Sequence, residues 1–217
     1  MGNRFDRCGI VVNAQPGTVG LDRLREAVNT GHITSCILYQ GASTEAQFDE
    51  YCQSAVPMLQ DCDVAVMIAD DTRLVGRCSA DGIFLEKTRQ QTAEIVERYA
   101  PEKMVGCGGF KGRHGALEAG EAKPDFVFFG RLGGDIRTDA HPKNLALCEW
   151  WSEIIEIPGI VLAGTSLESI VECAQTGADF VAVESYVFDG TRDPASAVVQ
   201  AEEQLDLHAP RFEEVEA

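Results

Sequence analysis

Basic residues are scarce in this chain: 18 lysines and arginines stand against 35 acidic residues, a formal net charge of −17 at pH 7. A field of that sign repels nucleic acid and anionic membranes, which both demand a cationic footprint. It also opposes phosphorylated ligands. A phosphate site here must draw on backbone N–H groups, helix N-termini or a few local cations. Long apolar runs are missing too. None approaches the roughly 20 residues a spanning helix needs, and the polar residues 1–7 hold no apolar signal region. A cytoplasmic protein is expected, with neither membrane nor nucleic acid as partner. Histidine is limited to four residues, none near a paired cysteine, which argues against zinc. The eight cysteines contain no C-x-x-C pair, and Cys8, Cys36, Cys62 and Cys107 fall in or beside apolar runs. They read as reduced core thiols, not as a disulfide scaffold. A dinucleotide fingerprint is also absent: the turn after the first apolar run is Asn13-Ala14-Gln15-Pro16-Gly17, with no G-x-G-x-x-G.

What is present is a series of eight short apolar runs, at residues 9–13, 35–40, 64–69, 82–85, 104–107, 126–129, 160–163 and 180–183. They are nearly continuous in apolar character and lack strict alternation, as expected of parallel strands buried on both faces. Between them, residues 21–29, 44–59, 88–99, 145–155, 167–176 and 195–205 carry apolar positions at helical spacing. Ser43, Ser166 and the pair Asp193-Pro194 read as helix starts, and Gly31 and Gly177 as helix ends. Alternating β and α units imply right-handed parallel crossovers. Eight of them in 217 residues predict a single α/β domain, a (β/α)8 TIM barrel over about residues 8–206, with an acidic C-terminal tail at 207–217. Four dipeptides, Cys62-Asp63, Ala80-Asp81, Pro124-Asp125 and Ala178-Asp179, precede runs three, four, six and eight. They predict a polar bottom rim whose aspartates satisfy backbone at tight turns. Trp150 and Trp151 read as packing of the sixth helix.

In such a barrel the ligand sits on the loops after the strands. Gly164-Thr165-Ser166 ends run seven and opens a helix, so glycine and free N–H groups there suit an anion; Ser185, after run eight, faces the same spot. Asp70-Asp71 after run three reads either as a magnesium site or as a cap for a short helix near Thr72, with Glu86 as a neighbouring acid and Lys87 as its neutraliser. The glycine-rich loop at 108–115 carries Lys111, Arg113 and His114 and reads as an anion-binding flap, an acid/base lid or a solvated loop. Arg131, Arg137 and Lys143 flank the long loop after run six, where an arginine can reach phosphate.

Several of these stretches, in this order, resemble the thiamine phosphate synthase and TenI family. They are Asp63-Val-Ala-Val-Met-Ile-Ala-Asp70-Asp71, Ala80-Asp-Gly-Ile-Phe-Leu85, Asp125-Phe-Val-Phe-Phe-Gly130, Ile160-Val-Leu-Ala-Gly164 and Gly177-Ala-Asp-Phe-Val-Ala-Val-Glu-Ser185. The resemblance implies a (β/α)8 barrel that condenses hydroxymethylpyrimidine diphosphate with thiazole phosphate in thiamine biosynthesis, using Mg2+. It also implies phosphate binding by the backbone at Gly164 and Thr165 and at Glu184 and Ser185, with Asp70 as metal ligand; Ser166 and Arg131 join the phosphate candidates from the reading of the strand ends. Glu86, His114 and Glu184 are the further catalytic candidates. Family barrels often self-associate, so a homo-oligomer is compatible with the resemblance, and the sequence itself does not set the oligomeric state. The pattern departs from the family after run two, where residues 37–41 hold no cation, and after run four, where Arg89 replaces the second metal aspartate. This degenerate pyrophosphate and metal site leaves three readings: a divergent synthase, a TenI-like tautomerase or other enzyme on a small phosphorylated substrate, and a non-catalytic paralogue that binds the phosphorylated ligand.

Overall fold

A computed structural model describes residues 6–86 and 89–212. Residues 1–5, Lys87, Thr88 and the last part of the acidic tail, 213–217, lie outside the described residues. The strands are β1 (Gly9–Ala14), β2 (Ile33–Leu38), β3 (Ala65–Ala69), β4 (Gly82–Leu85), β5 (Met104–Gly108), β6 (Phe126–Phe129), β7 (Gly159–Leu162) and β8 (Phe180–Val183). Each pairs in parallel with the next, and β8 returns to β1, closing the barrel. Its helices are α1 (Leu21–Val28), α2 (Glu45–Gln60), α3 (Thr72–Cys78), α4 (Arg89–Tyr99), α5 (Arg113–Gly120), α6 (Pro142–Ser152), α7 (Leu167–Gln175), α8 (Ser185–Phe188) and α9 (Pro194–His208). No helix among the described residues is long and apolar enough to cross a membrane. All eight cysteines are free, six of them buried, as their placement in apolar runs predicts.

The two-residue period of a strand sends alternate side chains to opposite faces. Ile10, Val12, Leu38, Val66 and Ile68 join the helices in the outer layer. Val11, Ile37, Met67, Phe84, Phe126 and Phe128 fill the barrel itself. The aromatics fit because β5 gives them room. A Cβ on Gly106 would fall within the Phe126 ring, and one on Gly108 would lie 2.8 Å from Phe84. Phe84 stacks on Phe126 with centroids 6.2 Å apart and meets Phe128 edge-on at 5.4 Å.

Three of the four rim aspartates satisfy backbone as expected of a polar rim, but on the neighbouring strand and not at their own turns. The carboxylate of Asp81 accepts the N–H of Val66 at 2.8 Å, Asp125 that of Val105 at 2.7 Å, and Asp179 that of Gly159 at 2.8 Å. Each thereby ties the start of the preceding strand to its own. Asp63 instead turns the chain with a left-handed backbone, φ 58°. Trp151 is buried, donates to the Ile157 carbonyl at 2.8 Å and meets Phe129 edge-on.

Several boundaries differ from the sequence reading. β2 begins and ends two residues earlier, because Tyr39 and Gln40 already belong to the top loop. Thr44, not Ser43, caps α2, in a reciprocal box with Gln47. α6 starts at Pro142 behind a His141 cap. Part of the expected flap, from Arg113 onward, is the start of α5, whose two glycines hide its helical character. It is held by burial of Ala116 and Ala119 and by Arg113 stacked 4.9 Å over Trp150. α9 runs two residues into the expected tail, and Arg211 pairs with Asp6 at 2.8 Å, so the described part of that tail is docked.

Candidate functional site

A cavity of about 740 Å3 opens at the C-terminal ends of β2, β3 and β4, under the loop that follows β6. Tyr39, Asp70, Asp71, Arg73, Glu86 and Arg131 line it. Asp70 ends β3 in a left-handed conformation (φ 57°) that aspartate tolerates better than most residues. Asp71 is spent as the cap of α3, accepting the N–H groups of Arg73 at 2.9 Å and Leu74 at 3.1 Å. Of the two readings of this pair, the cap therefore holds for Asp71. Glu86 accepts the N–H of Leu132 at 3.0 Å, fastening β4 to the β6 loop. Burial pushes its carboxyl above the usual range and the negative charge of Asp70 adds to this, while the Leu132 N–H and Arg131 oppose it. Two mutually repelling carboxylates at one cavity suit a magnesium ion, which takes one or two carboxylates and completes its shell with water and substrate phosphate. Among the described residues there is no cluster of three or more acidic, histidine or cysteine ligands.

Beside this cavity lies a polar network that links the ends of the adjacent strands β8, β1 and β2. Tyr39 donates its hydroxyl to both oxygens of Glu184, at 2.6 and 2.8 Å, and Gln15 reaches Glu184 at 3.2 Å and Tyr39 at 2.6 Å. Burial, with the charge of Asp135 nearby, lifts the Glu184 carboxyl to about 7, against the pull of the Tyr39 and Gln15 bonds. Burial and Glu184 likewise push the Tyr39 phenol upward. On β1, two residues beyond the inward-facing Val11, Asn13 is completely buried, and neither its side-chain oxygen nor its nitrogen has a partner within the chain. A lone amide in an apolar strand was the sequence signal for it.

The N–H groups proposed from the sequence as anion donors sit at the ends of β7 and β8, and the chain itself uses them. Gly164 donates to the Ser169 hydroxyl at 3.0 Å, Thr165 to the Arg137 carbonyl at 2.8 Å and Ser166 to the Thr138 carbonyl at 3.2 Å. Ser185 donates its N–H to the carboxylate of Asp135 at 2.5 Å. The Ser185 hydroxyl and the Glu184 N–H bond the same carboxylate. Gly164 is required because backbone of the β6 loop at Arg137 and Thr138 occupies the space a Cβ would need. Arg131 is exposed at the cavity rim. His114 is not brought to the site: it sits on α5 with its side chain 90% exposed, 3.7 Å from Glu118. Asp135 went unnoticed in the sequence, because nothing local marks a loop aspartate as the partner of a serine 50 residues away.

Comparison with known proteins fits this arrangement. The family model for thiamine monophosphate synthase matches residues 9–187. The thiamine-phosphate synthase of Erythrobacter litoralis is 34% identical over 162 residues, covering 72% of this chain and 75% of its own. That of Hyphomonas neptunium is 28% identical over 199 residues, covering 88% and 90%. The thiamine phosphate pyrophosphorylase of Pyrococcus furiosus shares the fold with a TM-score of 0.77 at 21% identity, over 93% of this chain and 96% of that one. With the closed barrel and the match across all eight strands, the chain belongs to the thiamine monophosphate synthase family.

Proposed function

We propose that this protein is a transferase of the thiamine-phosphate synthase type, joining hydroxymethylpyrimidine diphosphate to thiazole phosphate and releasing pyrophosphate. The observation that carries this reading is the juxtaposition of the 740 Å3 cavity with the β7 and β8 donors on one face of the barrel. One region suits a diphosphate and the other a monophosphate. The cations that the segment after β2 lacks come from other elements, since Arg73 of α3 and Arg131 of the β6 loop line the same cavity. In a dissociative displacement the protein's work is to position the partners and to meet charge as it develops. Arg73 and Arg131 would hold the leaving pyrophosphate, and Asp70 and Glu86 would hold Mg2+. Bound there, the metal supplies neutralisation of the departing charge. Tyr39, Glu184 and Gln15 offer donors and an acceptor to the polar edge of a heterocycle. The test is direct: the purified protein with both precursors and Mg2+ should yield thiamine phosphate, and absence of product at high enzyme concentration would sink the proposal.

One observation favours a second reading. A buried carboxyl lifted to about 7 is matched to proton transfer near neutral pH. Glu184 would then serve as the acid/base of a TenI-like tautomerisation of a thiazole phosphate. Under this reading Glu184→Gln abolishes tautomer exchange while ligand binding survives; an unchanged exchange rate removes Glu184 from the role.

A further inference from the structure

We infer that Asp135 is a resident substitute for the substrate's phosphoryl group, a carboxylate that fills the anion site of the free protein and must leave before a phosphate monoester binds. The inference rests on the phosphate reading of the β7 and β8 donors and adds to it how that site is closed and opened.

The first support is the donor inventory. Asp135 is 4% exposed, and its carboxylate takes two donors of Ser185 together with the Glu184 N–H. That is a convergent set of backbone and hydroxyl donors of the kind that binds an anion. The other half of the site is filled by the same loop through the carbonyls of Arg137 and Thr138. One segment of chain therefore blocks both halves, and one movement of that segment frees both.

The second support is the ease of that movement. Asp135 follows Gly133 and Gly134, and Gly133 holds φ 66°, so the backbone before the carboxylate has the freedom to pivot. The outer face of the strap has little packing to lose: Ile136 is 82% exposed, and Arg137, Thr138 and Asp139 are exposed as well. The strap is anchored at its two ends, by the Leu132 N–H on Glu86 and by Ala140, which is buried before α6.

The third support is charge. Asp135 and Glu184 are neighbouring buried carboxylates, and the charge of Asp135 adds to the cost of ionising Glu184. Withdrawing Asp135 lowers that cost, and an incoming phosphate brings more acceptor oxygens to the same donors. Binding is then a competition, and apparent affinity equals intrinsic affinity scaled by the fraction of molecules with the strap open.

The experiment is a titration of inorganic phosphate into the purified full chain and its variants, followed by calorimetry and by the amide resonances of Thr165 and Ser185. Asp135→Ala should bind phosphate about tenfold tighter than the unaltered protein or better, and Asp135→Asn should fall between them. Asp139→Asn, which removes an equal charge from the same strap, should leave the affinity within about twofold, separating the local contact from the overall field. Phosphate binding that is equal or weaker in Asp135→Ala overturns the inference and leaves the phosphate site standing. No binding in any variant overturns the phosphate reading and the inference with it. Should the variants fail to fold, the unaltered protein still decides the matter: saturating phosphate should speed amide hydrogen exchange over residues 133–139. Unchanged or slowed exchange there, with phosphate bound, contradicts a displaced strap.

Discussion

Replacing Glu184 with glutamine should make the protein more stable at neutral pH, by an amount that grows as pH rises. In the unfolded chain this carboxyl titrates near 4.5, and in the folded barrel near 7. Between those values the folded state holds a proton that the unfolded state has released. Stability therefore falls as pH climbs through this window and levels off above about 7. The gap between 4.5 and about 7, at roughly 1.4 kcal/mol per pH unit, amounts to about 3 kcal/mol. The glutamine variant has nothing to titrate, and its amide oxygen still accepts from Tyr39. Urea unfolding of both proteins across pH 5 to 8 gives the stability difference at each pH. Subtraction cancels carboxylates that do not sense position 184. The variant should gain about 2–3 kcal/mol on the unaltered protein over that range, most of it by pH 7. A difference that stays flat across the range would refute the claim that an ionised Glu184 is costly in this barrel.

Three other outcomes follow from the same contacts. Tyr39→Phe deletes the donor that bonds both Glu184 oxygens; the Glu184 midpoint, read by carboxyl carbon resonance, should rise by about 1–2 pH units, and a fall would contradict the network. Gly106→Ala forces a methyl group into the Phe126 ring, which is itself stacked on Phe84; a loss of about 1–3 kcal/mol or more is expected in urea, and a loss near zero would mean the barrel interior is loosely filled. Asp125→Ala orphans the Val105 N–H at the start of β5; it should cost about 1–3 kcal/mol, with much of that recovered by Asp125→Asn, and equal losses in the two variants would place the effect elsewhere.

The strands were legible because a parallel barrel buries both faces of each one, which writes a short continuous apolar run into the sequence. The rim aspartates were legible as a repeated dipeptide ahead of the strands, but the N–H each of Asp81, Asp125 and Asp179 accepts, on the strand before its own, was not. Residues at strand ends, among them Asp70, Glu86, Gly164, Ser185 and Glu184, were singled out as candidates by the rule that barrel ligands sit there. Helix α5 was not, because it is held by tertiary contacts, the burial of Ala116 and Ala119 and the Arg113–Trp150 stack, and not by propensity. With α5 formed, His114 moved out of the candidate site. What remained hidden depends on distance along the chain. Tyr39 and Glu184 are 145 residues apart and meet only when the barrel closes. The Asp135 contact depends on the path of a loop that carries no periodic pattern.

The ends of β7 and β8 are the proposed seat of a small substrate's phosphoryl group. The most direct measurement is a crystal structure of the protein with a thiazole phosphate. Phosphorus density is expected within hydrogen-bonding reach of the Ser185 and Thr165 N–H groups, with Asp135 withdrawn from Ser185. Density for the phosphate at another place on the barrel, or an undisturbed Asp135–Ser185 bond with the ligand bound at saturation, would contradict this placement.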